Sequence, residues 1–324
     1  MKYFDLHCDT ITECTLQNCE LNKNNLHISL ERARVFKVFG QVYAIYIPDE
    51  FHGNSAILRF EEVYAKFISE RDKNKEFISL CGNAQDIENA IKIEKNPCIL
   101  SIEGSAALGG DMSKLYEYYN KGVRIITITW NGSCEAGDGI RAESSKGLTP
   151  FGFELIKNMT DLNMIIDVSH ISDKGFDDIA RHTDRPFIAS HSNSRTICDN
   201  KRNVTDEQFK EIVSRKGLCG LNLYSFFIKR NKKVTFKDII YHIEHFLTLG
   251  GENTIAIGAD FDGILDSTPM PDDITGVEGM TKLYDLLQKH YTKSVTDKIF
   301  YDNAYKFLKT NLTDCESCNN IIIL

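Results

Sequence analysis

The sequence of 324 residues lacks any apolar run that approaches the roughly eighteen residues needed to span a bilayer. Its first residues also lack the basic segment and apolar stretch of a secretory signal peptide. Basic residues are in deficit, with 38 Lys and Arg against 46 Asp and Glu, so the net charge is −8. Such a charge argues against a nucleic-acid backbone or an anionic membrane surface as partner. We therefore expect a soluble cytoplasmic protein that binds neither nucleic acid nor membrane.

The ten cysteines are scattered along the chain. Cys98 and Cys219 fall in apolar runs, where a free thiol behaves as a small hydrophobic group. Because no signal peptide is evident, we expect the thiols to be mostly reduced. Cys315-x-x-Cys318 could form a redox pair or half of a metal site, but no second Cys-x-x-Cys accompanies it. We expect neither role there.

No solenoid-type repeat, no Pro/Gly/Ser-rich linker and no Gly-x-Gly-x-x-Gly after the first strand is present. The last absence argues against an open, doubly wound sheet. Instead, apolar runs alternate with amphipathic segments, which predicts strands alternating with helices. The first strand begins by Tyr3 and ends at His7-x-Asp9. The others are predicted at 38–47, 98–102, 123–130, 164–169, 187–190, 218–224 and 254–258.

The segments between these strands carry helical periodicity and start signals. Thr149-Pro150 supplies an N-cap and a first helical proline, and Thr205-x-x-Gln208 is a capping box. Residues 11–35 are predicted to be irregular apart from a short possible helix at 29–34. Other helices are predicted at 55–70, 83–93, 111–119, 150–162, 172–182, 205–215, 235–249 and over most of 276–310.

Eight strand–helix units in about 310 residues are typical of an α/β fold of the (β/α)8 TIM-barrel type. Strands that alternate with helices in this way form a parallel sheet covered on both faces. We expect residues 1–310 to form a single domain and residues 311–324 to form a polar C-terminal tail.

Chemically capable side chains follow several of the predicted strands. His7 and Asp9 are two residues apart on one strand, so they project to the same side and can hold half of a Zn²⁺ site. A lone His-x-Asp would more often be a buried histidine and a capping aspartate. Here Glu103, His170, His191 and Asp260 also stand at strand ends, which open on one face of a barrel.

The remaining histidines fall in loops or helices, and we expect them to be solvated. His242 and His245 flank Glu244 without forming the His-Glu-x-x-His zinc pattern. The others are His27, His52, His182 and His290.

The strand-end residues outnumber the ligands of one tetrahedral zinc with an open position. They suit two metal ions, with Glu103 placed centrally as a bridge. Two ions about 3.5–4 Å apart can hold a shared hydroxide and polarise a carbonyl, which is a hydrolytic arrangement.

Two further residues indicate what is hydrolysed. Arg202, in the loop after the sixth strand, is suited to a bidentate grip on a substrate carboxylate, whereas Lys201 is expected to face solvent. Asp260 is placed to move a proton or to hold an amine, with a metal ligand or a loop cap as alternatives. Asp262 lacks a comparable strand-end position, and we expect no role for it.

Six segments, in chain order, carry a resemblance to a known family: FDLHCDT, SIEG, IIDVSHIS, ASHSNSR, KRNV and GADFDG. In these segments the sequence resembles the membrane (renal) dipeptidase family of zinc metallopeptidases. The likeness extends from residue 3 to about residue 310.

The resemblance implies a metal-dependent dipeptidase on an amidohydrolase-like barrel, with a dipeptide as the small-molecule substrate. It implies one zinc at His7, Asp9 and Glu103, and a second at Glu103, His170 and His191. It also makes Arg202 the substrate-carboxylate residue, Asp260 the catalytic acid–base and Tyr224 a pocket residue. A homodimer is a further hint of the family, without a predicted interface.

One position departs from the family. Animal members have a histidine after the fourth strand that contacts the substrate carbonyl region, and Trp130 stands there in this chain. Trp130 is expected either to contact substrate or to pack at the rim of the site.

Two rival functions remain open at this point. The same metal pair could catalyse deamination or the hydrolysis of a lactone, β-lactam or phosphoester. Deaminase and urease-like sites more often show His-x-His after the first strand, so His7-x-Asp9 and Glu103 favour the dipeptidase. A non-enzymatic metal-binding or scaffold protein is the other alternative.

Overall fold

The computed structural model describes residues 1–143, 145–230, 233–263 and 270–313. Cys315, Cys318 and most of the predicted tail 311–324 lie outside these ranges. Among the described helices, none combines the length and the apolar character needed to cross a membrane.

Strands are numbered here in chain order. They are β1 (Lys2–Cys8), β2 (Val38–Tyr46), β3 (Ile78–Leu80), β4 (Asn96–Glu103), β5 (Val123–Thr127), β6 (Ser133–Cys134), β7 (Gly137–Asp138), β8 (Ile165–Asp167), β9 (Ile188–Ala189), β10 (Leu218–Leu221) and β11 (Ile255–Ile257).

Eight of the described strands form a closed parallel barrel. Their order around the ring is β2-β1-β11-β10-β9-β8-β5-β4, and β4 pairs back onto β2 to close it. This confirms the predicted (β/α)8 fold, since all eight predicted strands are in the ring. β3 was not predicted: it lies outside the ring and pairs with the first residues of β4.

The helices occupy most of the segments between strands. They are α1 (Thr10–Leu16), α2 (Leu30–Ala33), α3 (Gly53–Lys73), α4 (Ala84–Lys92), α5 (Ser113–Asn120), α6 (Pro150–Asp161), α7 (Asp173–His182), α8 (Asp206–Ser214), α9 (Ser225–Ile228), α10 (Phe236–Thr248), α11 (Met280–His290), α12 (Lys293–Asp297) and α13 (Asn303–Asn311). A π-helical turn, Lys298–Asp302, joins α12 to α13.

The predicted helix starts are present. The Thr149 side chain accepts a hydrogen bond from the backbone N–H of Gly152, and Thr205 and Gln208 form a reciprocal capping box. These short-range signals satisfy backbone N–H groups that the first helical turn leaves unpaired.

Helix α1 contradicts the prediction of an irregular segment from residue 11. Its three threonines are β-branched and are poor helix formers. Thr10, Ile11 and Cys14 are nevertheless buried in the helix. Burial of this face therefore outweighs the weak local propensity.

The barrel interior is filled by apolar side chains from every strand of the ring. They form one cluster: Phe4, Leu6, Val38, Val42, Ile99, Ile125, Ile165, Ile188, Leu218 and Ala256. Phe307 and Leu308 of α13 belong to the same cluster and cover the barrel at the end opposite the carboxyl ends of its strands. Burial of apolar surface stabilises the fold by about 25 cal/mol per Å². This packed interior supports the opposite end of the barrel, where the strands have their carboxyl ends.

Candidate metal centre and substrate pocket

The predicted site residues converge at the carboxyl ends of the barrel strands. His7 lies near the end of β1, with Asp9 directly after it, and Glu103 is the last residue of β4. His170, His191 and Asp260 follow β8, β9 and β11. The structure therefore brings together side chains that are up to 253 positions apart in the sequence (from 7 to 260).

A β-bulge aims His7 into the barrel mouth. Between Asp5 and Cys8, β1 carries one more residue than the paired stretch of β2, which runs from Gln41 to Tyr43. The extra residue reverses the alternation of side chains, so His7 reaches the mouth although Leu6 also faces the interior. Bulges of this kind are common next to active sites.

The ligand atoms fall into two groups that share Glu103, and a third group joins His7, His191 and Asp260. In the first, His7 Nε2 lies 3.1 Å from Asp9 Oδ2 and 3.6 Å from Glu103 Oε2. In the second, Glu103 Oε1 lies 2.9 Å from His170 Nε2 and 3.4 Å from His191 Nε2. Within each group the ligand atoms lie within 4.8 Å of one another. Each carboxylate oxygen of Glu103 thus faces a different group.

Hydrogen bonds determine which ring nitrogen of the two later histidines carries the proton. His170 Nδ1 lies 3.0 Å from Asn131 Oδ1, which is an acceptor, so Nδ1 donates. His191 Nδ1 lies 2.6 Å from the Ser190 hydroxyl, whose own proton goes to Asp167 Oδ2 at 2.6 Å. His191 Nδ1 therefore donates to Ser190, and both Nε2 atoms present lone pairs.

These lone pairs make the residues fit a bound cation. The Nε2 atoms of His170 and His191 are only 2.8 Å apart. Burial lowers the pKa of His170 to about 4 and that of His191 well below its ordinary value, which keeps both rings neutral. Neutral imidazoles and carboxylates are the deprotonated forms that bind metal. Zn²⁺ prefers this set of nitrogen and oxygen donors.

The pKa values of the carboxylates in the first group are strongly shifted. Burial and the neighbouring Glu103 raise the pKa of Asp9 well above its ordinary value. Burial alone would raise the pKa of Glu103, but the charge of His7 and the contacts with His170 and His191 together outweigh it, and the net shift of the pKa is downward. Asp9 Oδ1 is buried and has no hydrogen-bond partner among the described residues. Unpartnered buried oxygens are rare in folded proteins, and this one is available to a ligand.

Two site residues adopt left-handed backbone conformations, which residues other than glycine seldom adopt. The φ angle is 66° at His170 and 62° at Asp260. The backbone N–H of Ile140 donates to the His170 carbonyl at 2.7 Å, which holds that turn in place. Such strain costs on the order of 1–3 kcal/mol per residue and concentrates at functional sites.

Asp260 lies between the first ligand group and the loops that follow β9 and β10. Its Oδ1 atom is 3.9 Å from His7 Nε2, and its Oδ2 atom accepts a hydrogen bond from Asn222 Nδ2 at 2.9 Å. Burial raises the pKa of Asp260.

Lys201 is exposed, as expected, whereas Arg202 is buried. Arg202 donates from Nη1 to the Ser192 hydroxyl at 2.9 Å and from Nη2 to the carbonyl of His191 at 3.1 Å. Its Nε is buried without a partner in the described part of the chain. The guanidinium is therefore held in place but keeps capacity for an anion.

A cavity of about 590 Å³ opens above these residues. This size is ordinary for a site that holds a small molecule. Trp130, Tyr224, Arg202 and Asp260 all line it. The predicted strand to Trp130 ends at Thr127 instead, so Trp130 sits in a loop.

Sequence reasoning missed several contributors to the site. Tyr46, the last residue of β2, lines the cavity, and its ring centroid is 5.0 Å from that of Trp130. Its strand-end position is a signal that could have identified it. Asn131 contacts His170 directly, and Asp167 contacts His191 through Ser190. Neither residue belongs to a sequence motif that would have identified it. Arg230, in the loop after α9, also lines the cavity.

One expectation about the other histidines is wrong. His242 was expected to be solvated but is fully buried, where its Nδ1 accepts from the Ser194 N–H and its Nε2 donates to the Ile228 carbonyl. Asp262, which was left out of the predicted site, also lines the cavity. Its carboxylate also accepts hydrogen bonds from the Thr10 hydroxyl and from the His27 backbone N–H.

The model of one protein family, described as membrane dipeptidase (peptidase family M19), matches residues 1–317. The chain belongs to the membrane dipeptidase family. It is therefore a metallopeptidase, that is, a hydrolase of the dipeptidase type. Family membership implies a metal cofactor and a small peptide substrate, and it rules out the scaffold alternative.

Several known proteins are similar to this membrane dipeptidase family member. A protein encoded in the pqqA 5′ region of Klebsiella pneumoniae is 33% identical over 243 residues, which cover 72% of this chain and 88% of that protein. The crystal structure of a family M19 dipeptidase called dipeptidase AC has a TM-score of 0.89 at 24% identity, covering 96% of this chain and 99% of that one.

A Rhodobacter sphaeroides metallopeptidase, crystallised with a phosphinate mimic of the dipeptide L-Ala-D-Ala, has a TM-score of 0.88 at 23% identity. That match covers 96% of this chain and 99% of the other. Both structural likenesses show that the fold is shared.

Proposed function

We propose that this membrane dipeptidase family member hydrolyses the peptide bond of dipeptides with two zinc ions. His7, Asp9 and Glu103 would hold one ion, and Glu103, His170 and His191 would hold the other. The observation that carries this proposal is the orientation of Glu103, whose Oε2 faces His7 while its Oε1 faces His170. A carboxylate that presents one oxygen to each group is suited to bridge two ions.

Two bound zinc ions would supply a shared hydroxide as nucleophile and would polarise the scissile carbonyl. Asp260 would take the proton at Oδ1 and deliver it to the leaving amine. Asn222 supports this role, because its hydrogen bond to Oδ2 leaves Oδ1 directed toward the ligand groups.

Arg202 would bind the C-terminal carboxylate of the dipeptide. Its guanidinium is buried, held by Ser192 and the His191 carbonyl, and borders the cavity. A charge-assisted pair in such a site is stronger than one at the surface. Because the clamp binds a free carboxylate, it would limit substrates to two residues.

Tyr224 and Trp130 would form part of the substrate-binding wall. Both line the cavity, and the Trp130 ring centroid lies 6.1 Å from that of His170. We further propose that residues 1–310 constitute the single catalytic domain, followed by a tail from residue 311.

The decisive test measures metal content and activity in one preparation. We expect about two zinc ions per chain and hydrolysis of L-Ala-L-Ala or L-Ala-D-Ala. Chelation should abolish activity and zinc should restore it. Glu103→Gln should lose both zinc and activity, whereas Glu117→Gln, on α5, should retain them. Full activity of the chelated protein, or retention of two zinc ions by Glu103→Gln, would contradict the proposal.

A further inference from the structure

Charged side chains around the cavity are separated by sign among the described residues. Most of the acidic ones follow β1 and β11, which are neighbours in the barrel, and Glu103 ends β4; those that follow β1 and β11 are Asp9, Glu13, Asp260 and Asp262. Among the basic ones, Lys201 and Arg202 follow β9, and Arg230 follows β10, which pairs with β9. A further basic residue, Arg141, lines the cavity from the loop after β7. The mouth of the barrel therefore has an acidic sector beside a basic sector.

The basic sector contains more positive charge than one substrate carboxylate requires. Arg202 alone can pair with the C-terminal carboxylate in the proposed reaction. Arg230 has an acidic neighbour, Asp199, at 3.5 Å, but their side chains are 60% and 85% exposed. Such exposed pairs contribute little. In the described part of the chain no acidic side chain forms an ion pair with Lys201, whose acidic neighbour Asp173 is paired with Arg195 instead.

We infer that the pocket selects dipeptides whose second residue has an acidic side chain, aspartate or glutamate. This inference rests on the proposed dipeptidase function. Arg202 binds the main-chain carboxylate in the buried part of the cavity, and Lys201 and Arg230 bind the side-chain carboxylate at its rim. The positive amino terminus of the substrate then lies toward the acidic sector.

The pocket wall also offers an apolar alternative that the test must separate. Tyr224 and Phe227 line the same side of the cavity, with ring centroids 4.8 Å apart. If these rings dominated recognition, an aromatic second residue would be preferred. The charges of Lys201 and Arg230 favour the acidic side chain instead, because an aromatic side chain would offer no negative charge to these two exposed cations, and the pairing of Arg230 with Asp199 is weak.

The test compares near-isosteric substrates that differ only in charge. The zinc-loaded protein is assayed on Ala-Glu against Ala-Gln, Ala-Asp against Ala-Asn, and on Ala-Phe and Ala-Lys, with both chiralities of the second residue. We expect kcat/KM to be about tenfold higher for the acid than for the amide, which is roughly what two partly exposed ion pairs provide. The ratio should fall as salt is added, because exposed charges are screened.

Substitutions then assign the preference to residues. Arg230→Gln should lower the Glu/Gln ratio several-fold, and Lys201→Gln with Arg230→Gln should bring it close to one. Arg181→Gln is the matched control, since Arg181 is 69% exposed and lies 3.9 Å from Asp177 without lining the cavity. It should leave the ratio unchanged.

The outcomes are distinct. Equal kcat/KM for Ala-Glu and Ala-Gln, a preference for Ala-Phe or Ala-Lys, or an acid preference that survives the double substitution would overturn this inference alone, while hydrolysis of any dipeptide would leave the proposed function intact. Failure of the zinc-loaded protein to cleave every dipeptide in the panel would overturn both.

Discussion

The imidazole of His191 is held by the hydroxyl of Ser190, which lies 2.6 Å from its Nδ1 atom and is itself bound to the carboxylate of Asp167. Asp167 also accepts hydrogen bonds from the backbone N–H groups of Ser169 and Ser190. Partners of this kind fix the tautomer and orientation of a metal-binding histidine.

Ser190→Ala should therefore weaken zinc binding by about 10- to 100-fold, because His191 Nδ1 loses its acceptor. Competition with a chelator of known affinity measures this directly. Ser190→Thr keeps the hydroxyl and should restore most of the affinity, and Ser214→Ala, at an exposed position of α8, is a neutral control. Unchanged zinc affinity in Ser190→Ala would show that the hydroxyl does not position the ligand.

Arg202→Ala should lower kcat/KM for free dipeptides by about 100-fold or more, because truncating one partner of a buried charge pair costs roughly 2–5 kcal/mol. Zinc content should stay near the wild-type value. Arg202→Lys keeps the charge but not the planar fork, so it should recover activity only in part. Dipeptide amides cleaved as fast as free dipeptides by the wild-type protein would disprove the clamp.

Asp260→Asn should reduce kcat by about 10²–10⁴-fold, since a general acid–base residue contributes in that range. KM and zinc content should change little. Asn222→Ala leaves the Asp260 carboxylate in place but removes the hydrogen bond that orients it, together with the Asn222 hydrogen bonds to the His191 carbonyl and the Tyr224 N–H, and it should cost less activity than Asp260→Asn. Single-turnover kinetics with metal analysis separate these effects, and a larger loss in Asn222→Ala would reverse the assigned roles.

His242 should make the fold sensitive to acid. Burial lowers the pKa of His242 to about 4, against 6.5 for an unperturbed histidine. Between these pH values the unfolded chain binds the proton and the folded chain does not, so stability falls as pH decreases. The expected loss attributable to His242 is about 3 kcal/mol from neutral pH to pH 4.

Urea denaturation at pH 7 and at pH 4.5 measures the contribution of His242. His242→Gln should be less stable than the wild type at pH 7 but should lose less stability on acidification. His52→Gln alters an exposed histidine and should follow the wild-type curve. An identical pH dependence in His242→Gln and the wild type would contradict the argument.

The barrel strands and the convergence of the candidate site residues were predictable because their signals are local. Each ring strand is an apolar run, and Glu103 or His191 stands directly at or after such a run. The two-residue spacing of His7 and Asp9 likewise predicted their contact, now seen at 3.1 Å.

Features that depend on distant partners were not predictable. Helix α1 forms because its threonine-rich face is buried, and the bulge in β1 exists only relative to β2. His242 was misjudged because a helix position does not reveal what packs on it. Here the Ser194 N–H and the Ile228 carbonyl saturate its ring in the interior.

Because His170 Nε2 and His191 Nε2 approach each other closely, we expect the free energy of unfolding of the chain to depend on the concentration of free metal. Any ion that binds only the folded state stabilises it by mass action, by about 2.7 kcal/mol at a concentration 100 times the dissociation constant. We expect the melting temperature to climb with free zinc until the site saturates, as calorimetry would register. In a cell depleted of that ion the protein would then be less stable as well as inactive, and proteases would degrade it faster.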